Sequence, residues 1–215
     1  MKNVPAFDLF NPAPDFHRTA QTSNYVNSNL SVIEGLKYVP NFISEEEEKQ
    51  LIDVINSQEW LGDLKRRVQH YGWKYDYRAR SLNYNMYLGP LPEWIQLLAK
   101  RLIEKQLMNE LPDQVIINEY KPGQGIANHV DCEPCFGDTI VSLSLATPCI
   151  MNFINLDSKE KVDAWLEPRS VVSINGNARY CWSHGITPRL ADDIHGVRVN
   201  RQLRISMTFR KAIIQ

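Results

Sequence analysis

The second half of the chain is a succession of short β-type segments, and this pattern constrains the fold more than any other feature. Seven runs rich in strand-forming residues follow one another, separated by turns that contain Gly, Pro or Asn. They span residues 115–120, 126–130, 139–145, 149–154, 164–166, 171–174 and 203–209. Short strands in such close succession predict an antiparallel sandwich or barrel.

One strand and two helices are predicted before this β region. Residues 31–38 alternate well enough for a first strand. Ser44 is followed three residues later by Glu47, a capping box that begins a helix with four glutamates in its first turn. Pro92 begins a second helix, because proline suits a first helical position. We therefore predict an α+β fold, mainly β: an antiparallel double-sheet jelly roll with N-terminal helices packed on one sheet.

The length of 215 residues fits one domain of ordinary size with a tail. Residues 1–30 contain three prolines, are rich in Asn, Ser, Thr and Gln, and show no periodicity, so we expect a flexible tail before a domain of residues 31–215. The hydrophobic content of 43% and charged content of 23% exclude wholesale disorder and a fibrous repeat. Without a membrane-length apolar run or a secretory leader pattern, we expect an intracellular, cytoplasmic protein, nuclear if eukaryotic. No Met or Leu stripe indicates a dimer interface, so we expect a monomer.

Charge is balanced overall but not locally. The net charge of −1 excludes a uniformly basic surface for nucleic acid. Residues 61–80, however, carry six Lys/Arg against two Asp, as do residues 189–211. The first of these stretches also has aromatic residues at alternate positions, Tyr71, Trp73, Tyr75 and Tyr77. On one face of an extended chain they would form either a half-buried packing surface or a platform where bases stack beside arginines.

Two histidines and one aspartate form a candidate metal set. His129 and Asp131 are two residues apart at the end of a strand-like run, so their side chains point the same way. Together with His184 they match the 2-His-1-carboxylate set of non-haem Fe(II) oxygenases, although a surface His–Asp hydrogen bond is the simpler alternative. Arg204 lies on a predicted inward-facing strand, and a buried guanidinium needs an anionic partner such as a dicarboxylate.

Three motifs in combination resemble the AlkB family of Fe(II)- and 2-oxoglutarate-dependent dioxygenases. They are NEYKPGQGIANHVD from Asn118 to Asp131, YCWSHGI around His184, and RISMTFR from Arg204 to Arg210. The resemblance runs from about residue 115 to 210, with a looser match back to about residue 32. Within the family the chain is most similar to members that hydroxylate a wobble-uridine side chain in tRNA, and to bacterial proteins of that type. It implies a double-stranded β-helix core.

The resemblance also implies roles for individual residues. His129, Asp131 and His184 would bind Fe(II), and Asp131 and Arg210 would be catalytic. The contacts to the cosubstrate 2-oxoglutarate, which reacts together with O2, would come from Asn118, Tyr120, Arg204, Ser206 and Arg210. Many family members have Asn at the position of Ser206, and serine is shorter.

The substrate implied by the resemblance is a nucleobase that is single-stranded or flipped out of a duplex. Residues 62–88 occupy the place of the family's nucleotide-recognition lid. The candidate substrate-binding residues are Arg66, Arg67, Tyr71, Trp73, Tyr75, Arg80 and Glu133. Some members place an acidic residue three positions after the metal aspartate, where this chain has Pro134, so Glu133 is the substitute candidate.

The function implied is oxidative demethylation of nucleobases in DNA or RNA, in DNA repair or RNA modification, with release of succinate, CO2 and formaldehyde. One alternative is a carbon hydroxylase of a modified tRNA wobble uridine, or a protein-directed demethylase. An alternative of another class is a catalytically inactive nucleic-acid-binding module, against which the complete metal set argues.

The cysteines are expected to be reduced in an intracellular chain. Cys132 and Cys135 form a Cys-x2-Cys pair directly after the metal aspartate. A zinc site would need two further ligands, so reduced structural cysteines are the favoured interpretation.

Overall fold

The computed structural model describes residues 27–62, 65–76, 79–194 and 196–214. The helices are α1 (Glu45–Ser57), α2 (Glu93–Glu104) and the short α3 (Gly176–Tyr180). The strands are β1 (Leu36–Val39), β2 (Arg67–Tyr71), β3 (Gln114–Tyr120), β4 (Ile126–His129), β5 (Ile140–Leu145), β6 (Cys149–Asn155), β7 (Lys161–Leu166), β8 (Val171–Ile174), β9 (Trp182–Ile186), β10 (Ala191–Ile194), β11 (Val197–Asn200) and β12 (Arg204–Arg210). Single 3-10 turns occupy Ser28–Val32 and Tyr84–Met86.

The strands form two antiparallel sheets and a separate hairpin. The larger sheet has the strand order β1-β8-β5-β12-β3-β2, and the smaller has the order β4-β9-β6-β7. The hairpin is made by β10 and β11. One hydrophobic cluster contains side chains of both sheets, for example Ile140 and Ile174 with Met151 and Phe153, so the sheets enclose a common core. The predicted mainly-β jelly roll is confirmed.

Alternation along the larger sheet separates a helix-facing side from an inward side. On β12, Ile205, Met207 and Phe209 pack in one cluster with residues of α1 and α2. Arg204, Ser206 and Arg210 point the opposite way and line an internal cavity. The predicted packing of N-terminal helices on one sheet is confirmed, and it leaves the other side of that sheet for polar groups.

Local sequence signals for the first helix are confirmed in detail. The Ser44 hydroxyl accepts a hydrogen bond from the Glu47 amide at 3.1 Å, and the Ser44 amide donates to the Glu47 carboxylate at 2.8 Å. The predicted strand at 31–38 is partly wrong, because a 3-10 turn occupies Ser28–Val32 before β1. The second helix begins one residue later than expected, since Pro92 is its N-cap. Strands β2, β9, β10 and β11 were not among the predicted ones.

The predicted row of aromatic residues on one face is wrong for the part that the structure describes. β2 ends at Tyr71, and Gly72 turns the chain with a φ of 75°. A Cβ atom at Gly72 would lie 1.8 Å from the Asp113 carbonyl oxygen, so only glycine fits this close approach. As a result Tyr71 packs edge-on against Trp94, whereas Trp73 and Tyr75 contact Tyr87 and Phe136. Tyr77 lies outside the described residues.

Most of the expected tail, residues 1–26, also lies outside the described residues. Asn27 is held by two hydrogen bonds: its side chain donates to the Trp165 carbonyl at 3.0 Å and accepts from the Trp165 amide at 2.9 Å. Leu30 is buried in the core between the sheets. Within the described ranges, no helix combines the length and apolar character needed to cross a bilayer.

Candidate active site

A group of three side chains at one end of the smaller sheet is arranged to hold a metal ion. The ligand atoms of His129, Asp131 and His184 all lie within 4.8 Å of one another. The ring centroids of the two histidines are 4.6 Å apart. The sequence proposed this set, and the fold brings it together.

Pairing of β4 with β9 places the two histidines side by side. His129 lies directly opposite His184 in the antiparallel register. The next residue, Gly185, lies so close to β4 that a Cβ atom would be 2.8 Å from the Asn128 amide nitrogen and the Ile126 carbonyl oxygen. Glycine is therefore needed beside His184 for β4 to approach.

Both imidazoles have surroundings that suit a metal ligand. The Nδ1 atom of His129 lies 2.9 Å from the Ala127 carbonyl, which can only accept, so Nδ1 is the donor and Nε2 is the ring nitrogen left for a metal. Burial lowers the pKa of His184 to about 4, partly offset by the Asp131 charge. A neutral ring at His184 keeps a lone pair for a metal.

Asp131 is held as a charged group, and one of its carboxylate oxygens has no hydrogen bond from a described residue. Arg210 donates from Nε to Oδ1 at 2.9 Å, and its Nη2 forms an ion pair with the same oxygen at 2.8 Å. Burial alone would raise the pKa of Asp131, but the positive charge of Arg210, with smaller effects from the histidines, holds it well below its usual range. Oδ2 is buried without a hydrogen bond from any described residue, 3.4 Å from His184 Nε2. A buried anionic oxygen beside two imidazoles fits a divalent iron ion.

A cavity of about 320 Å³ opens beside this set and is lined by both sheets. Arg204 lies in its wall, 3% exposed, and its Nη2 donates to the Ser144 hydroxyl at 2.8 Å. Its Nε and Nη1 are buried and lack hydrogen-bond partners among the described residues. An unpaired buried guanidinium is costly, so these two donors indicate a site for an anion such as the carboxylate of 2-oxoglutarate.

The other residues proposed for the cosubstrate also line the cavity. Asn118, Tyr120 and Ser206 lie on the inward side of β3 and β12. The Tyr120 ring lies between two guanidinium groups, each 5.5 Å from its centroid, those of Arg66 and Arg204. Arg66 Nε also donates to the Asn118 side-chain oxygen at 2.8 Å.

The seven proposed substrate residues divide into two groups. Arg66, Tyr75 and Arg80 line the cavity. Arg67, Tyr71, Trp73 and Glu133 are not part of its wall. Arg67 instead donates to the buried Glu119 carboxylate at 2.9 Å and lies over the Trp60 ring, while Tyr71 packs on α2 through Trp94.

The expectation of reduced cysteines is wrong for one pair. Cys132 and Cys135 form a disulfide, whereas Cys149 and Cys181 are free. The Cys135 amide donates to the Cys132 carbonyl in a tight turn, which brings the two side chains together. Both sulfurs lie against the Arg80 carbonyl oxygen, at 3.3 and 3.2 Å.

Sequence reasoning missed two residues that hold the arginines of the site. Ser144 accepts from Arg204, and Gln114 accepts from Arg210 at 3.2 Å. Ser144 lies in β5, where every residue is buried, so the usual alternation that would mark an inward serine is absent. Gln114 precedes the motif and carried no signal of its own.

Comparison with solved structures supports the fold. The structure of OsALKBH1 superposes with a TM-score of 0.63 over 82% of this chain and 96% of that chain, at 17% identity. The likeness at this identity concerns the double-stranded β-helix fold alone.

Sequence comparison identifies the family. The profile of the 2OG-Fe(II) oxygenase superfamily matches residues 35–210. An uncharacterized protein, L905, of Acanthamoeba polyphaga mimivirus is 36% identical, over 84% of this chain and 86% of that protein. The alkylated DNA repair protein ALKBH8 homolog of Arabidopsis thaliana is 34% identical over 86% of this chain, and the mouse tRNA (carboxymethyluridine(34)-5-O)-methyltransferase ALKBH8 is 35% identical over 82%.

The chain spans only 60% and 30% of the lengths of these last two relatives. The match nevertheless covers the two histidines, the aspartate and both arginines of the site, which lie between residues 35 and 210. The chain therefore belongs to the 2OG-Fe(II) oxygenase superfamily and, within it, to the AlkB family of dioxygenases, whose chemistry uses Fe(II), 2-oxoglutarate and O2.

Proposed function

We propose that this chain hydroxylates a carbon of an alkyl substituent on a nucleobase, using Fe(II), 2-oxoglutarate and O2. The observation that carries the proposal is a pair of unsatisfied groups in one cavity. They are the metal-facing Oδ2 of Asp131 and the two unpaired donors of Arg204. Hydroxylation of an N-methyl group gives an unstable product that loses formaldehyde, and this is the demethylation expected from the family.

His129, Asp131 and His184 hold the iron in this proposal. Arg210 occupies Oδ1 of Asp131 with a hydrogen bond and an ion pair, which leaves Oδ2 for the metal and fixes the orientation of the carboxylate. The bound iron would supply the chemistry by which O2 oxidises both partners, converting 2-oxoglutarate to succinate and CO2 and the substrate C–H bond to C–OH.

Arg204 binds the distal carboxylate of 2-oxoglutarate through its guanidinium, and the Tyr120 hydroxyl assists. Ser144 accepts from Nη2, and the unpaired donors Nε and Nη1 are left for the ligand. Asn118 and Ser206, paired across β3 and β12, line the wall beside the cosubstrate. Apolar residues such as Ile116, Met151 and Ile186 line the remainder and exclude water from the reacting carbon.

Nucleic acid as the substrate is supported by the rim of the cavity and by the names of the relatives. Arg66, Tyr75 and Arg80 supply two cations and one aromatic ring at the cavity wall, a combination suited to a base next to a phosphate. In the proposal residues 62–88 form the nucleotide-recognition lid, and the target base is single-stranded or flipped.

The charge of the cavity favours a particular second candidate, carbon hydroxylation of a modified tRNA wobble uridine. Four arginines line the cavity, and since Arg210 pairs with Asp131 and Arg204 with the cosubstrate, the positive charges of Arg66 and Arg80 remain for the substrate. Adenine and cytosine methylated on a ring nitrogen carry a positive charge and are repelled by such a wall. Uridine carries none, and the mouse relative is named for carboxymethyluridine(34).

The test is succinate formation after anaerobic Fe(II) loading, with three sets of nucleic acids. One contains N-methylated adenine or cytosine, one contains N-methylated uracil or thymine, and one is tRNA carrying a modified wobble uridine. Formaldehyde with either methylated set establishes demethylation, whereas tRNA-stimulated succinate without formaldehyde establishes the hydroxylase. Succinate that no nucleic acid stimulates would overturn a nucleobase substrate and direct the search to proteins.

A further inference from the structure

We infer that Arg179 is a positioning residue that sets the metal affinity of the site by holding the main chain of Asp131. The inference rests on the proposed iron set. Arg179 contacts none of the metal ligand atoms and does not itself line the cavity. Its hydrogen bond goes to the backbone of Asp131, whose carboxylate is the proposed metal ligand.

Arg179 is a buried cation whose polar contacts all go to one turn. Only 2% of the residue is exposed. Its Nη1 donates to the Asp131 carbonyl at 2.9 Å, and its Nη2 lies 3.5 Å from the Cys132 carbonyl. No carboxylate within the described ranges accepts a hydrogen bond from it, and its Nε is unpaired. Burying a guanidinium without an anionic contact costs stability. A residue that only filled the core would not need a charge, so the charge of Arg179 indicates a further role.

Asp131 needs such support because it lies beyond the strand ladder. β4 ends at His129, and the register with β9 ends there too. Arg210 fixes the carboxylate at Oδ1. Arg179 holds the main-chain carbonyl of Asp131, so the side chain extends from a fixed backbone.

The platform that carries Arg179 is itself anchored. The amide of the preceding Ala178 donates to the Glu34 carbonyl at 2.9 Å. On the other side, the Tyr180 hydroxyl donates to Asp138 at 2.7 Å, and the Tyr180 ring lies 5.1 Å from the Arg179 guanidinium. Helix α3 also leads directly into β9, which carries His184. One short element thus positions both the histidine and the aspartate.

The experiment is calorimetric titration of the metal-free protein with Co(II) alone, with the visible absorption of bound Co(II) as a second readout. Removal of an outer partner of a metal ligand weakens metal binding by about 10- to 100-fold. We expect Arg179→Met to lie at the upper end of this range. Arg179→Lys keeps the charge but cannot span both carbonyls, so about a tenfold loss is expected.

Two controls separate positioning from general destabilisation. Arg101→Met removes the ion pair with Glu47, and Arg169→Met removes the ion pair with Glu48, both on the helix side. Both should leave Co(II) affinity and spectrum unchanged, even where the melting temperature falls. Folded Arg179→Met with wild-type Co(II) affinity would overturn the inference. If that variant does not fold, Arg179→Lys with wild-type affinity would overturn it instead.

Failure of the iron assignment would look different. Asp131→Asn is then the informative variant, because it removes the charge of the proposed metal ligand. Co(II) binding unchanged by Asp131→Asn would remove the basis of the proposed function, whatever Arg179 does. Loss of binding in Asp131→Asn with no effect of Arg179→Met would remove only the positioning role.

Discussion

The floor and the rim of the cavity are built in different ways. The cavity floor, defined here as Asn118, Tyr120, Ser144, Arg204 and Arg210, lies on three neighbouring strands of the larger sheet. Arg204 pairs with Tyr120 across the ladder, and Ser206 lies opposite both Asn118 and Ser144. Such a register holds polar groups rigidly at fixed spacing.

The rim, defined as residues 72–76 and 79–88, has only isolated contacts of this kind. Its backbone bonds include Lys74 to Met86 and Leu88 to Gly72. Single bridges join Trp73 to Tyr87 and Asp76 to Ser81. Tyr84, at its outer edge, is 74% exposed. The difference indicates that the rigid floor supports the oxidation chemistry common to the family, whereas the rim determines which substrate binds.

The metal set gives the largest expected effect. Asp131→Asn keeps the shape of the side chain but removes its charge, so 2-oxoglutarate turnover should fall by more than about 100-fold, beyond the effect of removing an outer partner. Succinate formation measures it. The matched control is Asp163→Asn on β7, where the Asp163 carboxylate accepts from Asn152. Turnover preserved in Asp131→Asn would show that the metal set is not the reaction centre.

The floor arginine gives the next largest effect. Arg204→Ala deletes a charge-assisted pairing worth roughly 1.5–3 kcal/mol, which corresponds to about a tenfold to hundredfold rise in the KM for 2-oxoglutarate. The Co(II) affinity should not change. Arg101→Ala, which removes the pair with Glu47 between the two long helices, is the control that keeps a normal KM. An unchanged KM in Arg204→Ala would contradict the cosubstrate site.

The metal set and the arginines of the floor were predictable because these residues obey simple periodicity. His129 and Asp131 are two apart, and Arg204 and Arg210 are six apart, so each pair shares one side of an extended chain. The Ser44–Glu47 capping box was likewise a purely local signal. Where β-strand alternation held, sequence and structure agreed.

The rim was less predictable because a single residue breaks its period. Gly72 ends the alternation after Tyr71, so that Tyr71 joins the helix-side cluster and Tyr75 the cavity. Arg67 and Arg66 are adjacent in sequence, yet one pairs with Glu119 and the other enters the cavity. Composition could not predict that Arg67 pairs with Glu119 while Arg66 enters the cavity, because this depends on the register of β2 with β3.

Arg80 in the rim, compared with Arg67 in β2, allows the substrate surface to be tested. Arg80→Ala removes an exposed cation at the cavity wall, so nucleic-acid affinity should fall by up to about fivefold, and the salt dependence should lose about 0.7 of a unit of slope. Arg67→Ala should change affinity less, because Arg67 is already neutralised by Glu119, but should lower the melting temperature. Fluorescence anisotropy with a single-stranded oligonucleotide measures both. A larger loss of affinity in Arg67→Ala than in Arg80→Ala would reverse the assignment of the two arginines.

The smallest effect is expected at the disulfide, where floor and rim meet. Cys132 follows the metal aspartate, and both sulfurs of the pair contact the Arg80 carbonyl. Reduction should therefore lower the free energy of local unfolding of residues 79–82. The loss is at most about 2 kcal/mol, because the disulfide closes only the short loop 132–135. The KM for 2-oxoglutarate should not change. Hydrogen exchange with and without a dithiol reductant compares residues 79–82 with β3, and a Cys132→Ser, Cys135→Ser variant gives the permanently open form. Exchange that rises equally in β3 would show that the disulfide supports the floor, because a rim contact cannot loosen a central strand of the larger sheet.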